Sequence, residues 1–110
     1  MDDERRDGIE IRNERMSTPA IMTSNQDIPR IGRGFRLQWE AVQDAWVLLY
    51  PEGMVKLNRS AGEILSRCDG AKNVATVVAE LEQCFGQEGL EPDVLAFIDL
   101  ARERRWVGVG

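Results

Sequence analysis

The sequence predicts an α+β domain: a three-stranded antiparallel meander followed by three helices, βββααα in order and winged-helix-like in architecture. Three observations predict it. Apolar residues alternate with period two from Phe35, the period changes to about 3.6 after Leu57, and turn residues punctuate the segments between. At 110 residues, 43% of them apolar, the chain can build one core but not a second.

Each element has its own cause. Phe35, Leu37 and Trp39 alternate with Arg36, Gln38 and Glu40, the pattern of a half-buried strand. A polar turn at Gln43-Asp44 leads into Trp46-Val47-Leu48-Leu49-Tyr50, a nearly continuous β-favouring run suited to a central strand. Pro51-Glu52-Gly53 is turn chemistry, with glycine able to take a positive φ, and Met54–Leu57 forms the third strand. Connections this short permit only antiparallel pairing. Ala61, Ile64, Leu65 and Cys68 then stand at i, i+3, i+4 and i+7, with Asn58 or Ser60 as cap and Asp69-Gly70 as stop. Val74, Val77, Val78, Leu81 and Phe85 form a second stripe between Asn73 and Gly86. A third, Val94, Phe97, Ile98 and Ala101, begins near Pro92 and ends among Arg102, Arg104 and Arg105, which suit the negative end of the helix dipole. Trp106-Val107 closes the core, and Gly108-Val109-Gly110 is expected to fray.

Residues 1–30 differ in kind. They carry 7 acidic and 5 basic side chains, no continuous apolar stripe, and the loop compositions Ser17-Thr18-Pro19 and Ser24–Asp27. They are expected to form a flexible N-terminal extension, with the domain over 31–110. Gly32-Arg33-Gly34 reads as a flexible approach to the first strand.

The composition excludes several classes of function. With no histidine, Ser-His-Asp and Cys-His catalysis and His-ligated zinc are absent. Cys68 and Cys84 are too few for a structural zinc site and too far apart for a redox pair, so both read as small buried hydrophobes and no metal or cofactor is expected. Glu80 and Glu82 point to different sides of their helix and make no acid–base pair. The net charge of -5 opposes phosphate backbones, and the second helix carries no Lys or Arg, which weighs against a winged-helix nucleic-acid-binding role. No apolar run approaches the ~18 residues of a membrane span. A cytoplasmic, non-enzymatic protein is expected, with no nucleic-acid or membrane partner.

Two features point to binding. The third strand, Met54, Val55, Lys56 and Leu57, ends the meander and leaves an edge open; Lys56 either guards it or borders a site where an extended peptide adds as a strand. On the third helix, Leu95, Ile98 and Arg102 share a flank with Asp99 nearby, at about 100° per residue. Leu95 either widens the core stripe or lines a groove against the strand edge. A second copy pairing on the same edge would give a homodimer.

The segment QDAWVLLYPEGMVKLN from Gln43 to Asn58, followed by Ser60-Ala61, Glu63-Ile64-Leu65 and Cys68-Asp69-Gly70, closely resembles the PqqD family, the pyrroloquinoline quinone biosynthesis D proteins. The resemblance spans about residues 31–107 and leaves the N-terminal extension outside. It implies a peptide chaperone that binds the precursor peptide PqqA and presents it to the radical S-adenosylmethionine enzyme PqqE. It also implies a leader peptide added beside the third strand and against the third helix. Met54, Val55, Lys56 and Leu57 are then expected to supply the backbone edge, Leu95 and Ile98 the apolar contacts, and Arg102, with Asp99 beside it, a partner for polar peptide groups.

Overall fold

Alternation and stripe place most of the chain correctly in the computed structural model, which describes residues 22–109. The strands are β1 (Pro29–Ile31), β2 (Arg36–Glu40), β3 (Ala45–Tyr50), β4 (Gly53–Lys56) and β5 (Val107–Val109). The helices, all between β4 and β5, are α1 (Arg59–Ser66), α2 (Val74–Phe85) and α3 (Glu91–Glu103). Strands β2-β3-β4 form the expected antiparallel meander, and β1 and β5 form a separate two-stranded sheet.

The register puts one sheet face against the helices. Leu37 and Val55 flank Leu48, Trp39 stands opposite Trp46, and the Phe35 and Tyr50 rings lie 5.7 Å apart. Leu48 is fully buried with Ile64, Leu65, Val77, Leu81, Val94 and Ile98. Trp39 is 46% exposed, on β2, one of the two outer strands; its ring meets Trp46 edge-on at 5.4 Å instead of entering the core. Gly53 opens β4 without a positive φ, so the hairpin turn draws its shape from Pro51 and Glu52.

Caps settle the helix boundaries. Asn58 is the cap of α1, its Oδ1 accepting the Ala61 N–H at 2.7 Å, while Ser60 lies buried inside the helix. Asn73 caps α2 through the Thr76 N–H, and Gly86 closes it at φ 66°. Helix α1 ends at Ser66, before the expected Asp69-Gly70 stop. Gly70, at φ 79°, serves instead to carry the chain past β1, its N–H donating to the Pro29 carbonyl.

Both ends of the domain differ from expectation. Of the end expected to fray, Gly108 and Val109 instead pair, with Val107, against Pro29–Ile31, so the expected boundary at residue 30 falls inside a strand; Gly110 lies outside the described residues. Gly32 is not a loose approach: its N–H donates to the Trp106 carbonyl at 2.7 Å, and Phe35 closes the turn back onto it. Residues 23–27 of the expected flexible extension are bonded to α2 and α3, because the carbonyls of Asn25 and Asp27 satisfy the Ala75 and Val74 N–H groups that α2 leaves unpaired in its first turn. The part of that extension over residues 1–21 lies outside the described residues.

Candidate functional site

The open edge of β4 has a defined chemistry. The Leu57 N–H donates to the Trp46 carbonyl, which makes these two a hydrogen-bonded pair. Bonded and non-bonded pairs alternate along an antiparallel ladder, so Val55 and Gly53 also turn their N–H and C=O towards β3. Met54 and Lys56 therefore turn theirs outward. Among the described residues no strand lies beyond β4. Two donors and two acceptors are thus presented at the spacing an added strand needs.

The side chains of this strand divide by face. Val55 packs against the core and Leu57, 6% exposed, belongs to it. Met54, 52% exposed, and Lys56 stand on the opposite face. A strand added here would be held by main chain, with Met54 and Lys56 available to its outward side chains.

Helix α3 contributes less apolar surface than expected. Ile98 is fully buried, and its side chain serves the core rather than a groove. Leu95 is half-buried and packs against the same cluster as Val55, Leu57 and Ile98. Leu95, Asp99 and Arg102 do share one flank, as spacing of four and three dictates. Asp99 and Arg102 are already engaged, however. The Thr23 N–H donates to Asp99 Oδ1 at 2.7 Å, and Arg102 Nη1 donates to Thr23 Oγ1 at 3.1 Å and lies 3.9 Å from Asp27 Oδ2. Sequence reasoning missed Thr23 and Asp27. They sit in a segment with no periodicity, more than seventy residues from their partners.

A separate charged cluster ties two helices together. Arg67 joins Glu63 at 2.7 Å and Glu80 at 3.2 Å, and Lys72 joins Glu80 at 3.4 Å and Asp69 at 3.7 Å, tying α1 to α2. Among the described residues no group of three or more His, Cys, Asp or Glu is placed to hold a metal ion. No described helix is long and apolar enough to cross a membrane.

The cysteines separate. Cys68 is buried as expected, its Sγ–H directed at the Ile64 carbonyl at 3.3 Å, but Cys84 is exposed because it flanks the α2 stripe. Burial pushes the Cys68 thiol up to about 12, with the Asp69 charge adding to it. At pH 8 only about one Cys68 in ten thousand is thiolate, the reactive form. A thiol reagent at pH 8 is expected to modify Cys84 alone in the folded protein, and Cys68 only after denaturant is added. Mass spectrometry of the labelled protein checks this; two labels without denaturant would contradict it.

Comparison with known proteins agrees with this architecture. Residues 45–107 match the family model for Coenzyme PQQ synthesis protein D (PqqD). The chain is 54% identical over 86 residues to a PqqA binding protein of Azotobacter vinelandii, covering 77% of this chain and 94% of that protein. It is 48% identical over 93 residues to a PqqA binding protein of Pseudomonas aeruginosa, covering 84% of this chain and 97% of that one. The solution structure of the PqqD truncation of Methylobacterium extorquens PqqCD, a stand-alone recognition element for ribosomally synthesized and post-translationally modified peptides, superposes with a TM-score of 0.65 at 30% identity. It covers 78% of this chain and 94% of its own. With this fold, an open β4 edge and these relatives, the chain belongs to the Coenzyme PQQ synthesis protein D (PqqD) family.

Proposed function

We propose that this protein is a non-enzymatic peptide chaperone that binds PqqA as an added strand on the β4 edge and presents it to PqqE. The observation that carries the reading is the outward-facing pair of main-chain donors and acceptors at Met54 and Lys56. The naming of its relatives as PqqA binding proteins supports the ligand. In this reading Met54 and Lys56 supply the main-chain edge, Val55 and Leu57 hold the strand to β3 and the core, and Leu95, Asp99 and Arg102 are the α3 groups offered to the peptide. The helices and meander stand in a winged-helix-like relation, and the work is cytoplasmic. A disordered precursor that binds an enzyme directly must be ordered and located in one step. Fixing one segment to a domain that also contacts the enzyme separates the two and raises the effective concentration of the reactive segment. Without peptide, the same edge is free to pair with a second copy as a homodimer.

The test is a titration of isotope-labelled protein with synthetic PqqA, paired with the Lys56→Pro variant. Proline is tolerated on an edge strand where the N–H faces outward, yet it removes a donor and obstructs an incoming strand. Lys56→Pro is expected to keep the fold and lose at least about tenfold in affinity, because an added strand shares several such bonds. In the wild type, amide shifts should centre on residues 54–57. Equal affinity in the folded proline variant would refute strand addition at this edge. Binding with shifts elsewhere would relocate the site.

A further inference from the structure

The corner where β1 meets β5 concentrates positive charge in a chain whose net charge is -5. Gly32 lies against the Arg105 backbone and donates its N–H to the Trp106 carbonyl, and Arg30 pairs with Gly108 across the two strands. Arg30, Arg33, Arg104 and Arg105 flank that contact, and all four are exposed. None of them forms an ion pair among the described residues, whereas Arg67, Lys72 and Arg102 each do. Asp69, the acidic residue bridged to Arg30 through the main chain, turns its carboxylate to the Ala71 N–H and to Lys72. Glu103 is the one acid in the run from Arg102 to Arg105.

The fold does not account for this cluster. The α3 dipole favours Arg102 and Arg104 at its last turn, but Arg30 and Arg33 arrive from β1 and the turn after it. Like charges gathered at one corner repel one another and cost stability unless an anionic surface faces them. Arg104 also lies 5.5 Å from the centroid of the half-buried Trp106 ring. Arginine and tryptophan are the residues that most often anchor protein interfaces, and a guanidinium grips a carboxylate through two parallel bonds. A nucleic acid or an anionic membrane extends past the corner and meets the acidic remainder of the chain, whereas a carboxylate patch on a protein can face the corner alone.

We propose that the corner formed by Arg30, Arg33, Arg104 and Arg105 is the docking surface for an acidic patch on the enzyme that receives the peptide. This rests on the reading of the protein as a chaperone that presents its peptide. The turn carrying Arg33 leads directly into β2, and β3 separates β2 from β4 by about 10 Å. A strand added beyond β4 extends the sheet away from β2, so peptide and enzyme can be held together. The reactive segment then stays near the enzyme at a concentration set by that short span.

The test compares the full chain with its Arg33→Glu/Arg104→Glu variant, titrating each with PqqE holoenzyme and, separately, with synthetic PqqA. The variant is expected to bind PqqE at least about tenfold more weakly at low salt, because two attractions become repulsions. Its affinity for PqqA should stay within about twofold of the wild type and its melting temperature within about 3 °C, since both side chains are exposed. Wild-type affinity for PqqE should fall as salt is raised, and an Arg33→Lys/Arg104→Lys variant should lie between the other two. Equal binding of PqqE by the wild type and the folded glutamate variant would overturn the corner and leave the chaperone reading standing. A wild type that binds PqqA but not PqqE, with or without peptide, would overturn both. Binding of a DNA or RNA duplex as tight as that of PqqE, and lost in the glutamate variant, would overturn the choice of a protein partner.

Discussion

Gly32→Ala is expected to destabilise the protein by about 3 kcal/mol, a fall of roughly 15 °C in melting temperature. A Cβ at this position would lie 2.2 Å from the Arg105 carbonyl oxygen and 3.2 Å from that of Trp106. Both obstacles are backbone, so no side-chain rotation relieves the clash. The segments must separate, which breaks the 2.7 Å bond from the Gly32 N–H to Trp106 and strains the adjacent β1–β5 pairing. Arg105 has little room to yield, since it already sits at φ 66°, an uncommon conformation for a residue other than glycine. Thermal unfolding followed by circular dichroism checks the prediction. A variant within about 1 kcal/mol of the wild type would show that this corner is looser than its distances imply.

Gly62→Ala makes a second strong test, because two physical effects predict opposite signs. Gly62 lies inside α1, where alanine is normally better by about 1 kcal/mol. A Cβ there would stand 2.4 Å from Trp46 Cδ1 and 2.8 Å from its Cβ and Cγ. The helix can approach β3 this closely only because the glycine has no side chain. Two of the three obstructing atoms, Cβ and Cγ, sit at the root of the side chain, and any shift of the ring disturbs its edge-on contact with Trp39. Overpacking should win, for a net loss of about 2 kcal/mol and roughly 10 °C in melting temperature. Tryptophan fluorescence should change with it. A gain in stability would mean that helix propensity outweighs the contact between helix and sheet.

What was legible in the sequence followed from periodicity. Val74, Val77, Val78 and Leu81, and likewise Val94, Phe97, Ile98 and Ala101, are buried as their spacing predicts, since a helical stripe is a local property. Strands β1 and β5 escaped notice because three residues contain too little alternation, and their pairing joins positions about eighty apart. Trp39 lies on the predicted face, but alternation cannot tell an outer strand from a covered one. Ile98 fitted both the core stripe and the groove, and burial gave it to the core. The β4 edge was visible as the end of a meander. That Met54 and Lys56, rather than Val55 and Leu57, turn their backbone groups outward depends on ladder phase, which side-chain pattern alone leaves open.

The pairing of β1 with β5 brings residues 29 and 109 side by side. The chain therefore enters the meander and leaves α3 at one corner, while residues 23–27 before it are bonded to α2 and α3. Closure of this kind makes the domain a self-contained unit. The Methylobacterium extorquens relative, a truncation taken from the larger PqqCD, illustrates the point: its fold stands alone once cut from its neighbour. Modularity of this kind follows from one short strand pair that closes the chain on itself.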